Sequence, residues 1–294
     1  MKASSAFRIF SFFAILFVAY ILGGSPIIAQ NKAEAKIRDK ERGFCSWNNN
    51  GDGDSFSFKE TRESTVASTG SLTVDGGKNG GISVKGDNRS DILVRACVNA
   101  WGRSEEEAKS IVGSVKISTV GTVKADGPEG DGHSNWSVSY EILVPRNTNL
   151  NLTAHNGGIS IKSVEGSIEF ETNNGGVNVA DLAGEVRGRT TNGGVNVSLT
   201  GSTWKGGGLD VTTTNGGVNL SVPDNYSANF EAGTTNGGFK SDVPLLNVEQ
   251  EDTLGKSESW QRQKRVRASM NGGGANIRVI TTNGGVKIGS NSKE

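Results

Sequence analysis

The chain has 294 residues, of which 34% are hydrophobic, 6% aromatic and 42 are glycine, and its 31 basic and 31 acidic residues balance to a formal charge of zero. So small an apolar share, with glycine at about twice its usual frequency of roughly 7%, argues against a thick globular core and for thin stacked β layers joined by many turns. The zero balance supplies no global field that would draw in nucleic acid or an anionic membrane.

Residues 1–29 read as a secretory signal peptide, with an uncleaved signal anchor as the alternative because Ile27 is not the ideal residue three places before the cut. Lys2 and Arg8 form a positive start, and the apolar run Ile9–Leu22 covers 14 residues, short of the ~20 needed to span a bilayer. Gly23, Gly24, Ser25 and Pro26 break the run, and Ile27-Ile28-Ala29 offers a small residue for cleavage ahead of Gln30. No cysteine ends the run, which argues against a lipid anchor, and no later stretch is apolar enough to span a membrane. Cleavage leaves 29 basic against 31 acidic residues. The mature chain is expected in the periplasm, on the outer surface or outside the cell. Residues 30–43 read as a flexible linker, 44–150 as an N-terminal β part, and 151–290 as a repeat continuous with it.

Two cysteines in an exported chain, Cys45 and Cys97, point to one disulfide, closing a loop of about 50 residues. Between them lies Asn48–Asp54, which resembles a calcium loop. Aligned to the twelve-residue pattern, Asn48, Asn50 and Asp52 take the first ligand positions, but Lys59 stands where a bidentate glutamate is needed and Glu60 is one place off. A polar surface loop accounts for it better. The alternating run Ile92–Val98 predicts a strand. After it, Ser104 and Glu107 form a capping box that predicts a helix over 104–115, with Ala108, Ile111, Val112 and Val115 as its apolar face. That helix is expected to cap or interrupt the β structure.

The strongest signal is self-similarity. Asn79-Gly80-Gly81 leads into Ile82-Ser83-Val84, and Asn156-Gly157-Gly158 into Ile159-Ser160-Ile161. Asn174-Gly175-Gly176, Asn192-Gly193-Gly194 and Asn215-Gly216-Gly217 precede Val177-Asn178-Val179, Val195-Asn196-Val197 and Val218-Asn219-Leu220. Asn236-Gly237-Gly238 and Asn283-Gly284-Gly285 continue the series, and Asn271-Gly272-Gly273 is a looser copy. Successive central copies lie 18, 18, 23 and 21 residues apart, which suits one coil of two short strands and two turns. Asn and Gly both tolerate positive φ, the conformation a sharp corner demands.

Alternation then sorts the side chains. Ile159, Val177, Val195 and Val218 form one inward column, and Ile161, Val179, Val197 and Leu220 the next. Ile168, Val186 and Leu209 repeat the pattern in the second strand, while Ser160, Asn178, Asn196 and Asn219 point outward. The fold class is therefore all-β: a β-solenoid of roughly 18–23-residue rungs with one capping or inserted α-helix. Asn-Gly is also the strongest hairpin signal, so an antiparallel β-stack is the alternative. Asn178, Asn196 and Asn219 are the candidate binding face; their bland reading is a solvent-facing hydrogen-bond ladder.

Catalytic chemistry finds no foothold. Of the two histidines, His133 lies in a Gly/Asp loop and His155 takes a turn position filled elsewhere by Asn173, Thr191, Thr214 and Thr235, so no serine, histidine and acid set emerges. A glycan-active enzyme would need carboxylates gathered on one face, whereas Glu165, Glu169, Glu171, Asp181, Glu185 and Asp210 vary in their position in the rung, and the outward column is Asn and Ser. No metal or cofactor is expected. Arg262, Lys264, Arg265 and Arg267 beside Trp260 read as a charged edge strand.

The run from about Phe44 to Ile288 resembles a bacterial domain-of-unknown-function family labelled "putative adhesin". The resemblance rests on Asn79–Val84, Trp136–Ile142, Val144-Pro145-Arg146 and the Thr-Asn-Gly-Gly-Val repeats. It implies a repeated β-strand protein without assigned catalytic residues. The expected function is an exported, non-catalytic adhesin, surface-binding or structural module, meeting a surface glycan or another envelope protein. A periplasmic sensing or regulatory scaffold is the alternative.

Overall fold

The computed structural model describes residues 44–45, 56–243 and 264–291. The expected signal peptide and linker, the Asn48–Asp54 run, Trp260 and Arg262 lie outside them. The chain divides into two compact units, Met1–Ser46 and Trp47–Glu294. Both cysteines are disulfide-bonded, so the bridge that two cysteines allow is made.

The second unit is all-β apart from one helix among its described residues. Its strands are β1 (Phe56–Ala67), β2 (Ser71–Asp75), β3 (Ile82–Asp87), β4 (Asp91–Gly102), β5 (Lys116–Ser118), β6 (Thr122–Asp126), β7 (Asn135–Pro145), β8 (Asn149–Ala154), β9 (Ile159–Lys162) and β10 (Glu165–Thr172). They continue as β11 (Val177–Ala180), β12 (Ala183–Asn192), β13 (Val195–Ser198), β14 (Gly208–Asn215), β15 (Val218–Val222), β16 (Ala228–Asn236), β17 (Phe239–Ser241), β18 (Lys264–Met270), β19 (Asn276–Asn283) and β20 (Val286–Ser290). The helix α1 spans Glu105–Ser114.

Two mixed ten-stranded sheets result. Sheet A runs β1-β4-β7-β3-β9-β11-β13-β15-β20-β17, and sheet B runs β18-β16-β19-β14-β12-β10-β8-β2-β6-β5. Each Asn-Gly-Gly corner from Asn79 to Asn236, and again at Asn283, carries the chain from a strand of sheet B to one of sheet A. The corners are therefore not hairpins. The central strands stack parallel and in register: Ile159, Val177, Val195 and Val218 are successive partners in sheet A, as are Ile168, Val186 and Leu209 in sheet B. All of them are buried, so the inward columns form one apolar layer between the sheets. Antiparallel pairing is kept for the flanks, where β1 lies on β4, β4 on β7, β5 on β6 and β18 on β16. The antiparallel-stack alternative fails for the repeat because identical coils in identical register align their strand directions.

One feature of the stack lies outside what the repeat predicts, and two expectations need correction. First, the coils are not stacked in chain order: β19 lies between β14 and β16, and β20 between β15 and β17. The last coil is inserted into the stack. Second, no glycine of the stacked corners has positive φ. The first glycine is there because corners stack so closely that a Cβ on Gly175, Gly193 or Gly216 would sit 2.1 Å from the carbonyl oxygen of the corner beneath. Left-handed residues occur instead at the opposite corner, at Ser163 (φ 58) and Asp181 (φ 53). Third, Asn271-Gly272-Gly273 is not a stacked corner. Its φ values of 48, 89 and 78 form the tight turn that joins β18 to β19.

The helix forms as expected, with one change. The Ser104 hydroxyl accepts from the Glu107 N–H at 3.2 Å, but the Glu107 carboxylate takes the Arg103 N–H at 2.7 Å rather than that of Ser104. Ala108, Val112 and Val115 are buried, and Ile111 packs against the core. At the other end, Arg62 of β1 donates to the carbonyls of Val112 and Val115, satisfying groups a helix C-terminus leaves open. Helix and edge strand are thereby joined at the N-terminal flank of sheet A.

Candidate functional site

The Asn-Gly-Gly corners build a continuous edge. The side-chain amide of Asn156 donates to the Asn79 oxygen at 3.0 Å, Asn174 to Asn156 and Asn192 to Asn174 at 2.7 Å, and Asn215 to Asn192 at 2.8 Å. Asn283 then donates to Asn215, and Asn236 to Asn283, both at 2.8 Å. The ladder thus follows the stacking order rather than the chain order. Behind it, the buried hydroxyls of Thr172, Thr190, Thr213, Thr281 and Thr234 donate to the carbonyls of Gly157, Gly175, Gly193, Gly216 and Gly284 at 2.7–2.9 Å. Sequence reasoning missed this threonine column, although a threonine stands two residues before the Asn in all five strands. These corners are structural; they lock neighbouring coils.

The outward face of sheet A carries the candidate binding residues. Register places Ser83, Ser160, Asn178, Asn196, Asn219, Lys287 and Lys240 in one column. Asn178, Asn196 and Asn219 are all exposed and share amide bonds of 2.7 and 2.8 Å. Those bonds fix the amides as a rigid row at the sheet's strand spacing of about 4.8 Å. A second column reads Lys85, Lys162, Ala180, Ser198, Ser221 and Gly289. The face is therefore flat and neutral in the middle, with lysines toward both ends.

The outward face of sheet B is different: of the six carboxylates singled out in the coil only Glu169 and Asp210 share a rung position, and they do so in a row that also carries bases. Glu169, Arg187, Asp210, Arg278, Glu231 and Arg267 are successive partners across six strands. Acid and base alternate at every step. Arg278 reaches Asp210 at 2.6 Å and Glu231 at 3.8 Å; Arg265 and Arg267 both reach Glu231 at 3.4 Å. Opposite charges on adjacent strands stabilise the pairing. Arg265 and Arg267 flank buried Val266 on the edge strand β18, in keeping with a charged edge.

At the corner opposite the asparagines, the Asp181 carboxylate accepts from the Ser163 hydroxyl at 2.7 Å and the Thr200 hydroxyl at 2.6 Å. Burial acts to raise its pKa but is outweighed by these two bonds and by Arg146 and Lys162, which hold it below the usual carboxylate range. His155 sits on the exposed edge, its ring nitrogen 2.8 Å from the Asn173 amide. Among the described residues no cluster of three or more His, Cys, Asp or Glu side chains is disposed to hold a metal ion, and no helix is long and apolar enough to cross a membrane.

A family model described as Toastrack DUF4097 matches residues 55–289. The chain belongs to the Toastrack DUF4097 family. No curated protein sequence matches it. Among solved structures, the Toastrack chain is similar to a putative cell adhesion protein from Clostridium sporogenes, at 12% identity with a TM-score of 0.38, over 79% of this chain and 100% of that one. It is also similar to a putative adhesin from Bacteroides fragilis, at 10% identity and a TM-score of 0.29, over 79% and 97%. A putative adhesin from Parabacteroides merdae matches at 12% identity and a TM-score of 0.30, over 78% and 95%.

Proposed function

We propose that this Toastrack protein is an exported, non-catalytic surface module, a β-solenoid of roughly 18–23-residue rungs that binds a periodic envelope polymer through the outer face of sheet A. The observation that carries this is the rigid amide row Asn178-Asn196-Asn219, exposed and flanked by Lys287 and Lys240 in the same column. Amides both donate and accept, so a regularly spaced row can meet a regularly spaced set of hydroxyls without rearranging. The lysines favour a partner with some negative charge, which a surface glycan carrying carboxylates would supply. Disulfide-bonded cysteines suit an oxidising, extracytoplasmic setting.

Asn196→Ser is the test, because it removes the amide and adds no charge. The column already accepts serine two strands away at Ser160, so the fold should tolerate the change. The purified protein is added to intact cells and to their isolated envelope polysaccharide. Loss of binding with an unchanged circular dichroism spectrum supports the reading; binding retained by the folded variant overturns it.

A further inference from the structure

The inserted last coil has a consequence for assembly. Strands β16 and β17 precede β19 and β20 in the chain, yet they lie outside them in the stack. Between β14-β15 and β16-β17 there is thus a slot one strand wide in each sheet, and residues 276–290 fill it. Stacking in chain order would set Asp210 against Glu231, two like charges. In the observed order Arg278 stands between them and is paired with both. The slot therefore has acidic walls, and the strand that fills it carries the matching base. Its apolar register fits as well: Ile277 and Val279 lie between Leu209 and Val211 on one side and Phe230 and Ala232 on the other. At the corner, Asn283 completes the amide ladder between Asn215 and Asn236.

None of these contacts depends on which chain supplies the strands. We propose that the slot between β14-β15 and β16-β17 is an acceptor site for the β18–β20 segment of a second copy, so that two Toastrack chains can exchange their C-terminal coils. Among the described residues, every contact of an exchanged β18–β20 segment is one the single chain already makes, and this is why identical segments swap at little cost in free energy. The charge pattern favours the right segment: a wrong strand in the slot would cost Asp210 the Arg278 guanidinium that now lies 2.6 Å away and leave no base between Asp210 and Glu231.

Asn219 and Lys287 are exposed register partners on β15 and β20, which makes them reporters. Asn219→Cys is placed in one full-length chain and Lys287→Cys in another. The two are unfolded together in denaturant with the native disulfide kept oxidised, refolded at high concentration and mildly oxidised. A chain carrying both substitutions is treated in parallel. The expected result is a 219–287 disulfide within the doubly substituted chain and, in the mixture, the same disulfide between chains, giving a dimer on a non-reducing gel. Crosslinking in the doubly substituted chain but none between chains overturns the proposal. No crosslink in either overturns it too, because the register on which exchange depends would then not be the one formed.

Discussion

Replacing Gly193 with alanine should destabilise the protein far more than the same change at Gly194. A Cβ on Gly193 would lie 2.1 Å from the Gly175 oxygen and 2.5 Å from its carbonyl carbon, both backbone atoms that no rotamer change can move. The corners would have to part by more than an ångström to restore normal contact, at about 3.5 Å or beyond. That movement stretches the Asn192–Asn174 amide bond and the Thr190–Gly175 bond, now 2.7 and 2.9 Å. Two hydrogen bonds at about 1 kcal/mol each and an overpacking penalty of roughly 1–3 kcal/mol give about 3–5 kcal/mol. A chain of this size should then melt about 10 °C lower. At Gly194 the nearest atom to a new Cβ is 3.6 Å away, and φ is not positive, so the cost should stay under about 1 kcal/mol. Thermal and urea unfolding followed by circular dichroism would measure both. Equal losses at the two glycines would refute close stacking as the reason for the motif.

Three further outcomes are expected. Gly188→Ala should cost about 1–3 kcal/mol, because its Cβ would enter the Phe170 ring; adding Phe170→Leu should recover part of that loss, and purely additive unfolding energies would contradict the contact. Tyr140 is buried and its hydroxyl has no hydrogen-bond partner, so Tyr140→Phe should leave stability unchanged or raise it by up to about 1 kcal/mol, where a clear loss in urea titrations would reveal an unseen bond. Asp181→Asn should destabilise at neutral pH by less than about 1 kcal/mol, given its exposure; since a carboxyl with a lowered folded pKa contributes above its unfolded value of about 3.9 and loses that contribution as pH falls toward the folded one, the variant and parent melting curves should converge below about pH 4.

Much of this fold was legible in the sequence because the repeat carries its own register. The apolar-polar-apolar triplets after each Asn-Gly-Gly give the core columns directly, and Ser104 with its acidic first turn gives the helix start. The order of coils was not legible from the motif alone. The corners at Asn215, Asn236 and Asn283 are nearly the same, so local pattern cannot say which are neighbours. The charge at one strand position favours the inserted order, because it sets Arg278 between Asp210 and Glu231. The role of the corner glycines is hidden for a related reason: a glycine needed for positive φ and one needed for close approach look identical in a single sequence. Of the candidate binding residues, position and exposure could be read from alternation, but the amide bonds that hold them rigid depend on neighbours 18 and 23 residues away.

Protease shaving of intact cells, with a periplasmic protein as internal control, tests the central claim most directly. If this Toastrack protein presents the Asn178-Asn196-Asn219 face to the cell exterior, it should be cut while the control survives. Protection until the envelope is opened would contradict surface display and assign the protein to a scaffold or sensor within the periplasm.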